Sequence, residues 1–172
     1  MKTDSFEIAN LPTQINCVSF DELEIYGLYD IMNLRQAIFI VEQDCPYLDA
    51  DYVDLKSYHV TFYINQNLIS YVRIVPPGIS YDGYSSIGRV VTHQDFRNKG
   101  VGKVIMEYAI SKTKELHPDQ KIKISAQKYI TKFYTQLGFK IVGEEYLEDD
   151  IPHIAMIYDG SNGNKLDIKE DI

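Results

Sequence analysis

The chain has 172 residues, a formal net charge of −8, 45% hydrophobic residues and 24% charged residues. These values are typical of one globular domain that is long enough to bury a sizeable core. They argue against a general nucleic-acid-binding protein, because contacts with phosphate groups need a surplus of lysine and arginine.

The N-terminal third of the chain predicts an arm, a helix and an acidic loop. Residues 1–15 are expected to form an irregular N-terminal arm. Asp21, followed three positions later by Glu24, is typical of a helix start. Apolar residues then keep roughly helical spacing, at Ile25, Leu28, Ile31, Met32 and Ile38. The segment DCPYLDADYVDLKS follows, an acidic loop with Pro46 and four aspartates.

The rest of the chain predicts six strands and two more helices. YHVTFYI and LISYVRIV alternate in polarity around NQN, which predicts a hairpin, and SSIGRVVT is a third strand. An amphipathic helix follows, with apolar residues at Val101, Val104, Ile105, Tyr108 and Ala109. KIKIS is a strand, YITKFYTQLG a helix that Gly138 ends, and FKIVG and PHIAMIY are the last strands. This order predicts a mixed α/β domain with one central sheet, followed by a flexible tail over residues 159–172.

Cysteine usage and the N-terminal sequence predict a cytoplasmic protein. Cys17 and Cys45 are too few for a disulfide framework and lack metal-ligand spacing, so we expect both to be reduced. The opening MKTDSFEIANLPTQ lacks the apolar core of a signal peptide. No apolar run approaches the length needed to span a membrane.

Two glycines stand among three basic residues where the predicted second helix begins, in the stretch Arg97, Asn98, Lys99, Gly100, Val101, Gly102 and Lys103. Glycine allows close approach of a ligand to the backbone, and the free N–H groups of a helix start attract anions. The stretch therefore predicts a phosphate cradle, the alternative being a solvated glycine turn. It is not a Walker loop, because Arg97 and Val104 replace a required glycine and hydroxyl residue, and Ile105 breaks the dinucleotide fingerprint.

The remaining pattern, Arg-x-x-Gly-x-Gly, resembles the acyl-CoA-binding motif of the GNAT superfamily of N-acyltransferases. SAQKYITKFYTQLGF resembles the family's later helix, with Phe133, Tyr134, Gly138 and Phe139 at matching positions. The family's usual Asn and Ala are replaced by Gln127 and Ile130. LYDIMNLRQAIFIVEQDCPYLDADYVD with His59 downstream, IGRVV and EDDIPHIAM resemble the ElaA-like branch over most of residues 20–157.

The resemblance implies a single GNAT domain, with helices flanking a mixed, mostly antiparallel sheet that is splayed at the acyl-CoA site. It implies direct transfer of acetyl from acetyl-CoA, as cosubstrate and without a metal, to a primary amine in a ternary complex. Tyr134 matches the acid that serves the leaving thiolate, although its apolar helical stripe is also typical of a core tyrosine. The implied cofactor-binding residues are Val91, Thr92, Arg97, Asn98, Lys99, Gly100, Val101, Gly102, Lys103, Gln127 and Phe133.

The general base and several other roles stay open. Glu42 and His59 are the leading candidates for the base, and the loop aspartates at 44, 49, 51 and 54 are further candidates. The alternative for these aspartates is a solvated loop in which they cap turns, as most such runs do. His153 is compatible with a structural or a functional role. Arg35 and Arg89 lie among apolar neighbours and are expected to anchor carboxylates of the acidic loop.

The acceptor is expected to be a small-molecule amine, or a lysine or N-terminal amine, with neither nucleic acid nor a membrane as partner. The acidic segment Glu42–Asp54 suggests a cationic amine, because opposite charges would steer the two substrates to different entrances. A non-catalytic acyl-CoA-binding regulator or sensor with the same fold is the alternative function. The sequence does not decide between a monomer and a homodimer, nor does it show whether acyl groups other than acetyl are used.

Overall fold

The computed structural model describes residues 11–160, which contain one seven-stranded sheet. The strands are β1 (Thr13–Ser19), β2 (Tyr58–Ile64), β3 (Asn67–Val75), β4 (Tyr84–Thr92), β5 (Lys121–Gln127), β6 (Lys140–Glu148) and β7 (Ile151–Tyr158). Their order in the sheet is β1-β2-β3-β4-β5-β7-β6, and all neighbours are antiparallel except β4 and β5. The predicted mixed, mostly antiparallel sheet is therefore confirmed.

Three α-helices accompany the sheet: α1 (Ile25–Arg35), α2 (Val101–Leu116) and α3 (Thr131–Gln136). A π-helix, Gln36–Glu42, continues α1 without a break. Short 3-10 turns lie at Phe20–Glu22, Val53–Lys56, Gln94–Phe96 and Lys128–Ile130. Within residues 11–160, no helix has the length and apolar character needed to cross a membrane.

The N-terminal expectations need two corrections. Residues 13–15 of the expected irregular arm belong to β1, which pairs with β2 over seven residues, while residues 1–10 lie outside the described part. The expected helix start at Asp21 is a single 3-10 turn instead, because the backbone N–H of Ser19 donates to the Glu22 carboxylate at 2.8 Å and closes a capping box there. Of the expected tail, residues 161–172 also lie outside the described part.

Helices cover both faces of the sheet, because side chains alternate along each strand. On one face, Ile105, Met106 and Ala109 of α2 pack in the larger core together with Val72 of β3. On the other face, Ile31 and Leu34 of α1 pack on Tyr71, the residue next to Val72. The two helices therefore pack on opposite faces of β3 and β4.

Candidate functional site

The sheet opens between β4 and β5. These two strands pair only at their beginnings, with Tyr84–Ser86 opposite Lys121–Lys123. On its other edge β4 carries a bulge, since Tyr71 pairs with Val91 but Arg73 pairs with Gly88. Within the bulge Arg89 has a φ of +51°, which is uncommon for a residue other than glycine. The bulge bends β4, and the edge of residues 87–92 that faces β5 has no partner strand within residues 11–160.

A cavity of about 440 Å³ lies at this divergence. Its walls include residues 86–90 of β4, Ser125 and Gln127 of β5, and Tyr134 of α3. Tyr134 is 6% exposed, and burial raises the pKa of its phenol above the ordinary value because the phenolate would be poorly solvated. The phenol is therefore protonated at neutral pH and is available as a hydrogen-bond donor beside the cavity.

The glycine loop stands at the end of β4, where α2 begins. Gly100 is the residue before α2 and has a φ of +83°, and Asn98 has a φ of +60°. The first bonds of the helix run from the N–H groups of Lys103 and Val104 to the Gly100 carbonyl, both at 3.1 Å. The N–H groups of Val101 and Gly102 precede these bonds, so they lie at the positive end of the helix dipole without an intrahelical acceptor.

Gly102 has neighbours close by, but the space around it would admit a Cβ atom. A Cβ atom added there would lie 3.7 Å from the Thr92 hydroxyl and 4.0 Å from the Phe133 ring, which are ordinary contact distances. The fold itself therefore does not require glycine at this position. Thr92 and Phe133, two of the predicted cofactor-binding residues, both lie beside Gly102, so the end of β4, the glycine loop and α3 adjoin one another here.

Arg97 forms an ion pair with Glu42, the last residue of the π-helix. Its two terminal nitrogens donate to the two oxygens of Glu42 at 2.7 and 2.9 Å, and its Nε donates to the Thr92 carbonyl at 3.0 Å. The hydrogen bonds from Arg97 lower the pKa of Glu42. A carboxylate with a lowered pKa is a weaker base, so this geometry fits Glu42 as the partner of Arg97 better than as the general base.

His59, the other candidate base, is enclosed. It is 1% exposed, its Nε2 lies 3.0 Å from the Asp54 carbonyl and its Nδ1 lies 2.8 Å from the Tyr71 hydroxyl. Because a carbonyl only accepts, Nε2 carries the hydrogen and Nδ1 accepts from Tyr71. Burial also lowers the pKa of His59. Both nitrogens are thus occupied, and His59 is absent from the cavity wall, so the structure does not bring Tyr134, Glu42 and His59 together.

Three arginines and three aspartates form a cluster of ion pairs on one wall of the cavity, here called the Arg–Asp cluster: Arg35, Arg73, Arg89, Asp49, Asp51 and Asp54. Arg35 is fully buried and donates to Asp49 and Asp54, at 2.7 Å in each case. Arg89 donates to Asp49 at 2.7 Å. The expectation that Arg35 and Arg89 anchor carboxylates of the acidic loop is confirmed.

The Arg–Asp cluster changes the interpretation of the acidic segment. Four of its five carboxylates are paired with arginines: Glu42, Asp49, Asp51 and Asp54. Asp44 is the fifth and is exposed. Burial alone would raise the pKa of Asp51, but hydrogen bonds from Arg73 and attraction to Arg89 outweigh it and hold the pKa at about 2. Arginines from outside the segment thus neutralise most of its negative charge. The segment therefore offers little net charge to steer a cationic amine, contrary to what the sequence suggested.

A second polar group lies across the cavity, on the hairpin of β6 and β7. The Tyr146 hydroxyl donates to Ser125 Oγ at 2.6 Å, and Ser125 Oγ donates to Glu148 at 2.7 Å. His153 stacks on the Tyr146 ring, with 6.3 Å between ring centroids. The sequence had left His153 with a structural or a functional role and had given no role to Ser125 or Glu148. The two hydrogen bonds of Ser125 join residues 21 and 23 positions apart, which no local pattern reveals.

Comparison with known proteins agrees with this geometry. Residues 46–159 match the model of the acetyltransferase (GNAT) domain family. Protein ElaA of Escherichia coli is 36% identical over 137 residues, which cover 78% of this chain and 89% of that protein. Its crystal structure has a TM-score of 0.80 and covers 86% of this chain and 99% of that one, at 33% identity. An acyl-CoA N-acyltransferase from Pseudomonas aeruginosa has the same TM-score and the same coverage at 36% identity.

Proposed function

Since the chain belongs to the GNAT acetyltransferase family, in its ElaA-like branch, and is an acyl-CoA-dependent N-acyltransferase, we propose that it moves acetyl from acetyl-CoA directly to a primary amine in a ternary complex. The observation that carries this proposal is the position of Tyr134. Its protonated phenol lines a cavity between the diverging ends of β4 and β5, where an amine and a thioester would meet.

The glycine loop supports binding of the pyrophosphate of acetyl-CoA. The free N–H groups at the start of α2 and the positive end of its dipole attract an anion, and the glycines allow it to approach the backbone. Lys103 is exposed at the same end of the helix. The residues proposed to contact acetyl-CoA are Val91, Thr92, Arg97, Asn98, Lys99, Gly100, Val101, Gly102, Lys103, Gln127 and Phe133.

The unpaired edge of β4 would serve the thioester. Backbone groups of residues 87–92 that face β5 lack a partner strand there, so an N–H on this edge is free to polarise the acyl carbonyl. Preorganised donors of this kind stabilise the charge that develops on the carbonyl oxygen when the amine attacks. Val91 and Thr92 are proposed for this role because they match the family's positions for it in the resemblance, and both lie in the segment of β4 beyond its pairing with β5.

Tyr134 would serve the leaving sulfur. As the C–S bond breaks, the electron pair passes to sulfur, and the phenol donates a hydrogen bond to the thiolate that forms. A thiol has an ordinary pKa of about 8.5, below that of a buried tyrosine, so we expect a hydrogen bond rather than a lasting proton transfer. The thiolate then takes a proton that the attacking nitrogen loses when the amide forms, which balances the reaction.

The test is the variant Tyr134→Phe, which keeps the ring and removes the hydroxyl. We expect turnover to fall by about 10²–10³-fold, the usual effect of losing one hydrogen-bond donor to a developing negative charge, with little change in the affinity for CoA; thiol release and calorimetry measure the two. Tyr108→Phe is the control, since Tyr108 packs against the larger core and does not line the cavity. Wild-type turnover in Tyr134→Phe would assign Tyr134 to packing alone.

A further inference from the structure

His153 leaves one nitrogen unoccupied beside the cavity. Its Nδ1 lies 2.8 Å from the Ile151 carbonyl, and because a carbonyl only accepts, Nδ1 carries the hydrogen. In the neutral ring Nε2 is then an acceptor with a lone pair. Nε2 has no hydrogen-bond partner among residues 11–160, although the side chain is only 9% exposed and lines the cavity.

Glu148, on the hairpin of β6 and β7, has a carboxylate oxygen that can accept a further hydrogen bond. Glu148 lines the cavity and accepts from Ser125 through Oε2. Its other oxygen, Oε1, is unpaired in the part of the chain that the structure describes. Asp149 adjoins Glu148 on the cavity wall and is exposed. Unlike the carboxylates of the Arg–Asp cluster, neither of these two is paired with an arginine within that part.

We infer that Glu148 and His153 form the acceptor site, in which Glu148 holds the ammonium group of a cationic primary amine and His153 Nε2 removes its proton. This inference rests on the proposed function and names the substrate class and the base that it leaves open. The base must act, because an alkylammonium with an ordinary pKa of about 10.4 is neutral in only about one molecule in 2,500 at pH 7.

The protons balance in this scheme. The substrate ammonium gives one proton to His153 Nε2. The imidazole ring becomes cationic, and the amine nitrogen of the substrate becomes nucleophilic. The nitrogen forms a bond to the acyl carbon, the C–S bond breaks, and the second nitrogen proton passes to the sulfur beside Tyr134. His153 then releases its proton to solvent. The products are an amide and CoA in its thiol form, with one proton released.

Neighbouring groups keep the imidazole oriented. Tyr146 stacks on its ring, and Gln127 of β5 is its cross-strand partner. Titratable groups that line the cavity with His153, stack on it, or lie on the turn packed against β7 are Lys128, Tyr129, Tyr134, Tyr146, Glu148 and Asp149. Lys128 is held by Glu145 at 2.6 Å, and across the cavity Arg89 and Asp51 neutralise each other within the Arg–Asp cluster.

The first experiment compares wild type with His153→Asn, whose amide nitrogen can still donate to the Ile151 carbonyl but which has no Nε2. With spermidine at pH 7, kcat/KM is expected to fall by about 10²–10³-fold. The variant depends on amine that is already neutral, so its kcat/KM should rise about tenfold per pH unit and approach wild type. With aniline, which is uncharged at pH 7, the two enzymes should differ by less than about tenfold.

Two controls separate this chemistry from structural damage. His117→Asn changes a histidine outside the cavity wall and should match wild type in all assays. Glu148→Gln should raise KM for spermidine by about tenfold with a smaller effect on kcat, because it keeps the shape but not the charge. Glu144→Gln, an exposed residue of the same strand outside the cavity wall, should leave KM for spermidine unchanged.

The outcomes distinguish the two proposals. If wild type acetylates amines and His153→Asn matches it at every pH, or loses activity equally with spermidine and aniline, the acceptor site is refuted and direct acetyl transfer stands. If wild type prefers neutral or anionic amines, the role of Glu148 is refuted. If wild type binds CoA but acetylates no amine, the proposed function fails, and the acceptor site fails with it.

Discussion

Replacing Arg35 with leucine tests whether the Arg–Asp cluster stabilises the fold. The substitution removes four hydrogen bonds from a fully buried guanidinium, at 2.7, 2.7, 3.1 and 3.3 Å. Removing one partner of a buried ion pair typically costs about 3–5 kcal/mol, because the opposite charge stays buried. Asp49 keeps Arg89 and Asp54 keeps Arg73, so we expect about 3 kcal/mol, the lower end of that range.

Urea unfolding at pH 7, followed by circular dichroism, measures this loss in the free energy of unfolding. Arg35→Lys keeps the charge but not the planar fork, so its cost should lie between wild type and Arg35→Leu. Glu115→Gln removes an exposed pair with Lys112 at 2.7 Å and should leave the urea midpoint nearly unchanged. A loss below about 1 kcal/mol in Arg35→Leu would refute the reasoning, since the cluster would then behave like exposed surface pairs.

Three further predictions concern the glycine loop, its ion pair and pH. Gly102→Val should weaken CoA binding at least about tenfold in calorimetry, because the added side chain blocks the approach of an anion to the backbone. The fold should be kept, because a Cβ atom fits at this position. Unchanged affinity would show that CoA does not bind at the glycine loop. Glu42→Gln should leave turnover within about tenfold, whereas a loss of about 10² or more would show that Glu42 is the base after all. Asp51 and Asp54 have lowered pKa values, so their contribution to stability is complete above about pH 4, the ordinary range of aspartate, and is lost as the pH falls further; a urea midpoint equal at pH 7 and pH 3 would contradict this.

Periodic segments of the sequence were enough to predict most of the fold. YHVTFYI and LISYVRIV are strands that are largely buried on both faces. The predicted stripe of α2 is buried at Val101, Ile105 and Ala109, but Val104 is 45% exposed. β1 was missed because TQINCVS lies at the edge of the sheet and contains few apolar residues, so its pairing with β2 leaves no clear pattern. The π-helix was missed for a related reason, since its sequence continues the helical spacing of α1.

The site was harder to predict than the fold because its contacts join distant residues. The glycine loop and Tyr134 were found through motifs that are local in sequence. The ion pair of Glu42 with Arg97 joins residues 55 positions apart. It makes Glu42, a candidate base, the partner of an arginine that is predicted to bind phosphate. His153 could be assigned only after the Ile151 carbonyl fixed which nitrogen holds its hydrogen. Such facts depend on tertiary geometry, which residue types alone do not specify.

The short pairing of β4 with β5 has a consequence for how the domain opens. Three residue pairs join the antiparallel unit β1–β4 to the unit of β5, β7 and β6. Three pairs supply few backbone hydrogen bonds, so we expect this seam to open locally at a low free-energy cost. Amide protons along this seam should therefore exchange with solvent before those of β2 and β3. A thioester ligand that bridges both strands would slow this exchange, so the gap that admits the substrate would also be where the substrate holds the domain closed.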